Sequence, residues 1–105
     1  MVQSKQYKIE VSERAKRNLS KIISYIAIEN SSYARKVKIE LTASIKSLSR
    51  FSERFPFLEG EFIPYNKYHK FVVNGSFIIL YVVQDETVRV EYVLDCKQDY
   101  QWLVR

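Results

Sequence analysis

The sequence predicts an α+β fold of order β-α-α-β-β-β, with an antiparallel helical hairpin packed on one face of a small twisted, mainly antiparallel sheet. Three observations carry this. Residues 77–83, FIILYVV, form an unbroken apolar run of bulky β-formers, too short for an amphipathic helix and suited to a central strand covered on both sides. Residues 87–96 alternate apolar and polar side chains after the polar turn Gln84-Asp85-Glu86, as the second strand of a hairpin would. Upstream, two long windows repeat apolar residues at helical spacing with almost nothing between them.

In chain order, Tyr7, Ile9 and Val11 alternate with Lys8, Glu10 and Ser12, the period of a short first strand. Ser12 then stands where an N-cap belongs, its hydroxyl placed to accept a free amide of the following helix. From residue 13 to about residue 29, Ala15, Leu19, Ile22, Ile23 and Ile26 recur every three or four residues, with Arg14, Lys16, Arg17 and Lys21 largely around the other side. Asn30-Ser31-Ser32 interrupts this helix and offers a new cap. Ala34, Val37, Leu41, Ser44, Leu48 and Phe51 then carry a second helix to about residue 54, and so short a connection makes the two antiparallel neighbours.

Phe55-Pro56 stops the second helix, because proline lacks the amide proton and restricts the residue before it. Residues 57–66 hold Gly60 and Pro64 and read as an irregular crossing loop. Residues 68–73 form a strand, and Asn74-Gly75 after it is the dipeptide best suited to the two positive φ angles of a type I′ turn. On the last strand, Val88, Val90, Tyr92 and Leu94 fall on one face, and Arg89, Glu91 and Asp95 on the other. Tyr25, Tyr33, Tyr81 and Tyr92 lie within periodic segments and read as packing residues. The tail, residues 97–105, has enough apolar surface in Tyr100, Trp102, Leu103 and Val104 to dock as a last turn or short helix.

A chain of 105 residues accommodates one domain, residues 1–105, with one modest core. An apolar fraction of 47% excludes a disordered chain. No apolar run approaches the roughly 20 residues that cross a bilayer, and the opening MVQSKQYKIEVSERAK lacks the apolar centre of a secretory signal, so a cytoplasmic location is expected. The single cysteine, Cys96, cannot form an internal disulfide and has no neighbouring Cys or His to complete a zinc site. No metal or other cofactor is expected. The net charge of +5 is unevenly spread: residues 1–55 carry 12 Lys and Arg against 5 Asp and Glu, while residues 56–105 carry 5 against 7. That field favours an anionic partner, either nucleic acid or an acidic protein segment.

Three local motifs, in this order and at this length, make the chain resemble the RelE/ParE superfamily of bacterial toxins from type II toxin-antitoxin modules. YKIEVSERAKRNLSKIISYI is similar to that family's opening strand followed by Ala, two or three residues, Leu and then an Ile- and Tyr-rich helix. FIILYVV is similar to its central strand, and VRVEYVLDCKQDY to its last strand running into a basic-x-Asp motif. Together they span nearly the whole sequence, and the similarity is stronger to ParE-like members.

The resemblance implies a growth-inhibiting toxin neutralised by a cognate antitoxin, whose C-terminal segment, often acidic and disordered when free, wraps the toxin. Operator DNA would be contacted only through that antitoxin. The family divides by target. ParE-type members poison DNA gyrase, whereas RelE-type members cleave mRNA on the ribosome, using the RNA's 2′-hydroxyl as nucleophile with basic side chains or a carboxylate moving protons. Where the RelE pattern places arginines, this chain has Ile78 and Gln98, neither able to hold a phosphate charge. A second ribonuclease branch places a His-Tyr pair after a Cys-basic motif; here Cys96-Lys97 is followed by Asp99 and Tyr100, and an aspartate is a poor general acid at neutral pH. The expected function is therefore ParE-like gyrase poisoning. The alternative is a RelE-like, ribosome-dependent endonuclease with a changed catalytic set of His69, Lys70, Lys97, Asp99 and Tyr100; a third reading is an inactive relic that only binds antitoxin. Strand alternation places His69, the only histidine, on the same face as Phe71 and Val73. For target or antitoxin binding the candidates are Lys16, Arg17, Lys21, Arg35, Lys36, Lys38, Lys67, Trp102 and Arg105.

Overall fold

The structure, a computed structural model, describes residues 6–52, 54–59 and 67–96. Within them lie β1 (Lys8–Val11), α1 (Glu13–Glu29), α2 (Ser31–Phe51), β2 (His69–Val73), β3 (Phe77–Gln84) and β4 (Thr87–Asp95). The four strands form one sheet in the order β1-β4-β3-β2. β2, β3 and β4 run antiparallel as two successive hairpins, while β1 lies parallel to β4. A parallel pair needs a long crossover rather than a tight turn, and the chain's α1–α2 hairpin lies between these two strands. The predicted fold class and element order are those observed.

Local chemistry sets the boundaries. The Ser12 hydroxyl accepts the Ala15 amide at 3.0 Å and starts α1. Asn30 alone joins the helices: its N–H donates to the Ile26 carbonyl at 2.9 Å, and its side-chain oxygen accepts the Tyr33 amide at 2.9 Å. One residue thus closes α1 and opens α2, which leaves the helices no choice but to fold back on each other. Asn74 and Gly75 have φ of 54° and 66°, the pair of positive values expected of a type I′ turn. In the β3–β4 connection it is Asp85, at 57°, that takes the left-handed conformation, one that aspartate tolerates better than most residues.

The sheet has two apolar faces. Toward the helices, Val37, Leu41, Ile45 and Leu48 pack on Ile79, Tyr81, Val88 and Val90. On the other side Leu58, Tyr68, Ile78, Leu80, Tyr92 and Leu94 form a second cluster. Successive residues of β3 alternate between the two clusters, so its continuous apolar run is what a doubly covered strand requires. Each aliphatic side chain buried this way contributes about 1.5–3 kcal/mol.

One expectation is corrected on β4. Val88 and Val90 face the helices, but Tyr92 and Leu94 belong to the opposite cluster, and Val93 faces the helices instead. The cause is a β-bulge: Val90 pairs with Tyr81 and Tyr92 with Leu80, leaving Glu91 as an extra residue. Simple alternation through this strand fails because the extra residue shifts its parity by one. The start of α1 holds the bulge in place. The Ser12 N–H donates to the Val90 carbonyl at 3.0 Å, and its hydroxyl to the Glu91 carbonyl at 3.1 Å. Beyond the end of β1, the Val93 N–H is taken by the side-chain oxygen of Asn18 at 3.2 Å.

The bulge makes two single-residue deletions unequal. Deleting Glu91 leaves every remaining side chain on its present face and removes the Ser12 hydroxyl bond and the Arg14–Glu91 contact, so a folded protein weakened by roughly 2 kcal/mol is expected. Deleting Arg89 moves Val88 off the core face and should abolish cooperative unfolding in urea. Equal urea midpoints for the two would contradict this account of β4.

Candidate functional site

His69 opens β2 within a row of cross-strand neighbours on the helix side of the sheet. Phe57 bridges to it from one side, Tyr81 pairs with it from the other, and Val90 and Val11 continue the row. Its ring stacks on Tyr81 with centroids 5.0 Å apart and lies 4.2 Å from that of Phe57. Nδ1 sits 2.8 Å from the Phe55 carbonyl oxygen, and because a carbonyl can only accept, the tautomer making this bond carries its proton on Nδ1. Phe55 stacks in turn on Phe71, 4.0 Å away. Below the row, the Tyr81 hydroxyl donates to the Ser52 carbonyl, and burial pushes the Tyr81 phenol well above its ordinary pKa. α2 ends at Phe51 rather than near residue 54, and because Pro56 has no N–H to offer the Ser52 carbonyl, the Tyr81 hydroxyl supplies its donor.

The candidate catalytic residues are thus not all on one surface. Lys70 follows His69 directly and so leaves the strand on the opposite face, its backbone amide bonded to the Pro56 carbonyl at 2.7 Å. Lys97, Asp99 and Tyr100, like the binding candidates Trp102 and Arg105, lie outside the described residues. Ile78 is buried in the second cluster with Leu80 and Tyr92. Among the described residues no grouping of His, Cys, Asp and Glu is suited to a metal ion.

Across this second face runs a pair of rings with a cation at either end. Lys67 Nζ lies 5.2 Å over the Tyr68 ring, Tyr68 meets Tyr92 edge-on at 6.0 Å, and the Arg14 guanidinium sits 4.2 Å over Tyr92. Arg14 also reaches Glu91 at 3.4 Å. Burial raises the Tyr92 phenol pKa, with the Arg14 charge pulling it back down. Arg14 stays exposed, as its spacing on α1 predicts, and its place in the first helical turn, beside a sheet edge that β1 no longer covers, lets its guanidinium reach over Tyr92.

The remaining binding candidates lie on the helical hairpin. Lys16 is paired with Glu13 at 3.3 Å, and Arg17, Lys21, Arg35, Lys36 and Lys38 are exposed. Lys21 lines a cleft of about 660 Å³ between α1 and the β2–β3 turn, floored by Ile22, Ile26 and Phe77 and closed by Asp95 and Cys96. Two more of its walls are Tyr25 and Tyr33. These were expected to be packing residues, and that is corrected here: Tyr25 is 78% exposed and Tyr33 41%, whereas Tyr81 and Tyr92 are buried. Ile39 on α2, 64% exposed, is a further apolar side chain outside the core.

Residues 9–100 match the family described as the ParE toxin of the type II toxin-antitoxin system parDE. Among solved structures, the fold is similar to one described as the chromosomal ParDE TA system from P. aeruginosa, at 13% identity and a TM-score of 0.73 over 88% of this chain and 98% of that one. A conserved hypothetical protein from Helicobacter pylori aligns at 12% identity and a TM-score of 0.58, covering 88% and 97% of the two chains. The E. coli DinJ-YafQ toxin-antitoxin complex aligns at 20% identity and 0.51, covering 86% and 92%. No curated protein matches the sequence.

The buried Tyr81 phenol gives the site a pH signature. In the unfolded chain Tyr81 ionises near the ordinary value of about 10, while the folded chain holds it higher. Its contribution is complete below the unfolded value and drains away as pH rises from there toward the folded one. Wild type should therefore lose urea stability relative to Tyr81→Phe above about pH 10, with a slope approaching 1.4 kcal/mol per pH unit. Parallel stability curves for the two proteins between pH 8 and 11 would refute it.

Proposed function

Because the chain belongs to the ParE toxin family of type II toxin-antitoxin systems, we propose that it inhibits growth by binding DNA gyrase in the cytoplasm and is held inactive by a cognate antitoxin. The observation that carries the choice of target is the setting of His69. Its ring is stacked on Tyr81 and its Nδ1 is engaged by the Phe55 carbonyl, so its visible contacts are those of a packing residue. The neighbouring Lys70 projects to the other face, and the position where RelE-like enzymes carry an arginine is the buried Ile78. These features argue against a cluster that moves protons around a phosphate and favour a protein that acts by binding.

A binding-only toxin must work through differential affinity. To trap gyrase with its DNA cut, it has to bind that state more tightly than the resealed one, since a ligand shifts an equilibrium only by the difference between its affinities for the two states. A hundredfold preference corresponds to about 2.7 kcal/mol, within reach of a few well-placed contacts. The antitoxin reading draws on the family and on the assemblies described for the P. aeruginosa and E. coli relatives, and the basic excess of residues 1–55 suits an acidic neutralising segment.

Induced expression without antitoxin, scored in parallel for chromosomal breaks and mRNA cleavage, tests the target. Double-strand breaks with intact mRNA are expected, together with inhibition of supercoiling by the purified protein. His69→Phe, which keeps an aromatic ring in the row and removes the titratable group, should retain toxicity. Cleaved mRNA with untouched gyrase, lost in His69→Phe, would establish the ribonuclease reading instead, and harmless expression the relic.

A further inference from the structure

The outer face of α2 concentrates positive charge that the described ion pairs leave free. This helix carries Arg35, Lys36, Lys38, Lys46 and Arg50 against one carboxylate, Glu40. All five cations are exposed, and the ion pairs of the described residues use Lys8, Arg14, Lys16 and Arg89 instead. Arg35, Lys38, Thr42, Lys46 and Arg50 follow one another at steps of three or four residues, so they line one face of the helix. That face is turned away from Ala34, Val37, Leu41, Ile45 and Leu48, which are buried. From Arg35 to Arg50 the row is about 22 Å long at the helical rise of roughly 1.5 Å per residue.

The middle of the row is hollow. Arg35, Lys38 and Lys46 rim a depression of about 530 Å³ whose other walls are Ile39, Thr42 and Ala43. Small side chains set between long cationic ones let a rod-shaped polyanion lie close to the helix while the rim reaches its charges. The polar groups, three cations and the Thr42 hydroxyl, are of the kinds that contact phosphate oxygens and so position a duplex without reading its sequence. The hollow has no aromatic ring for a single strand to stack on. Ile39 is its one large apolar side chain, whereas a protein interface is anchored by a cluster of aromatic and apolar residues. The occupant that fits the charge, the shape and the missing rings is the phosphate backbone of duplex DNA.

We propose that the α2 row binds the phosphate backbone of duplex DNA, so that the protein grips the DNA held by gyrase together with the enzyme itself. The proposal rests on the gyrase reading given above and adds a second ligand to it. The contact is independent of sequence and is therefore distinct from operator recognition. Phosphate contacts of this kind are weak when a protein makes only a few of them. Joined to a contact with gyrase, the second binding event becomes intramolecular, and a modest affinity for DNA then adds strongly to the affinity for the enzyme with its DNA in place.

The test follows the fluorescence anisotropy of a labelled duplex of about 20 base pairs, titrated with the intact purified chain at several salt concentrations. Four cations meeting four phosphates predict a slope of log K against log salt of roughly −3.6. The triple variant Arg35→Gln, Lys38→Gln, Lys46→Gln keeps good helix formers at all three positions; it should bind about tenfold more weakly or worse at low salt, with a slope near about −1. Lys8→Glu combined with Arg89→Gln removes the same net charge at the β1 side of the sheet and should bind as wild type. In a supercoiling assay with gyrase, the triple variant should need about tenfold more protein for equal inhibition. Absence of duplex binding by the wild type, or equal affinity in the triple variant and its charge-matched control, would overturn the proposal, and continued inhibition of supercoiling would then leave the gyrase reading standing. Tighter binding of single-stranded RNA than of the duplex would also overturn it. Duplex binding lost in the triple variant, with gyrase unaffected by the wild type, would support the surface and sink the gyrase reading.

Discussion

Ser12 is the point at which the first strand, the first helix and the last strand become one structure. Its amide continues the parallel ladder to Val90, its hydroxyl donates to the Glu91 carbonyl, and the same oxygen accepts the Ala15 amide in the first turn of α1. Each bond is worth only about 1 kcal/mol net, but together they satisfy groups in three elements that would otherwise lose their partners. Asn18 completes the seam one helical turn and a half later by covering the Val93 amide. An asparagine in a helix interior is a poor helix former, and its use here is explained by the sheet edge it closes.

The bulge held by this seam determines what each face of β4 contributes. Upstream of Glu91 the strand feeds the helix-side core through Val88 and Val90, and downstream it feeds the opposite cluster through Tyr92 and Leu94. Both faces of the two central strands are thereby occupied with apolar packing. The polar chemistry is displaced to the margins, where Arg14 and Lys67 bracket the Tyr68–Tyr92 pair and the helical hairpin carries most of the exposed cations. A protein organised this way has more surface suited to gripping than to proton transfer.

Much of the fold was legible in the residues because it rests on short-range chemistry. Ser12 and Asn30 cap the helices they were expected to cap, Asn74-Gly75 takes its two positive φ angles, and the apolar run of β3 is covered on both sides. The bulge was not legible, since a repeating polar-apolar pattern looks the same with or without one inserted residue until a partner strand sets the register. The site was read less fully. Placing His69 with Phe71 agrees with the observed strand, but its bond to the Phe55 carbonyl depends on a segment far from it in sequence. Tyr25 and Tyr33 match the helical period closely enough to look like core, and only the shape of the hairpin shows that they lie beyond it. For Arg14 the signal was available in hindsight: a guanidinium in the first turn after a cap lies close to whatever that cap is bonded to.

The parallel pairing of β1 with β4 also sets when the molecule can come together. Residues 8–11 find their hydrogen-bonding partners only at residues 87–90, so the first strand to leave the ribosome waits for almost the last. At about 5–20 residues per second, several seconds separate the two, and until β2 and β3 emerge late in that interval α1 and α2 have only each other to pack against. Closing so long a loop is the slow kind of step in folding. The completed sheet, with both of its apolar faces, is therefore a property of the finished chain and of no N-terminal fragment of it.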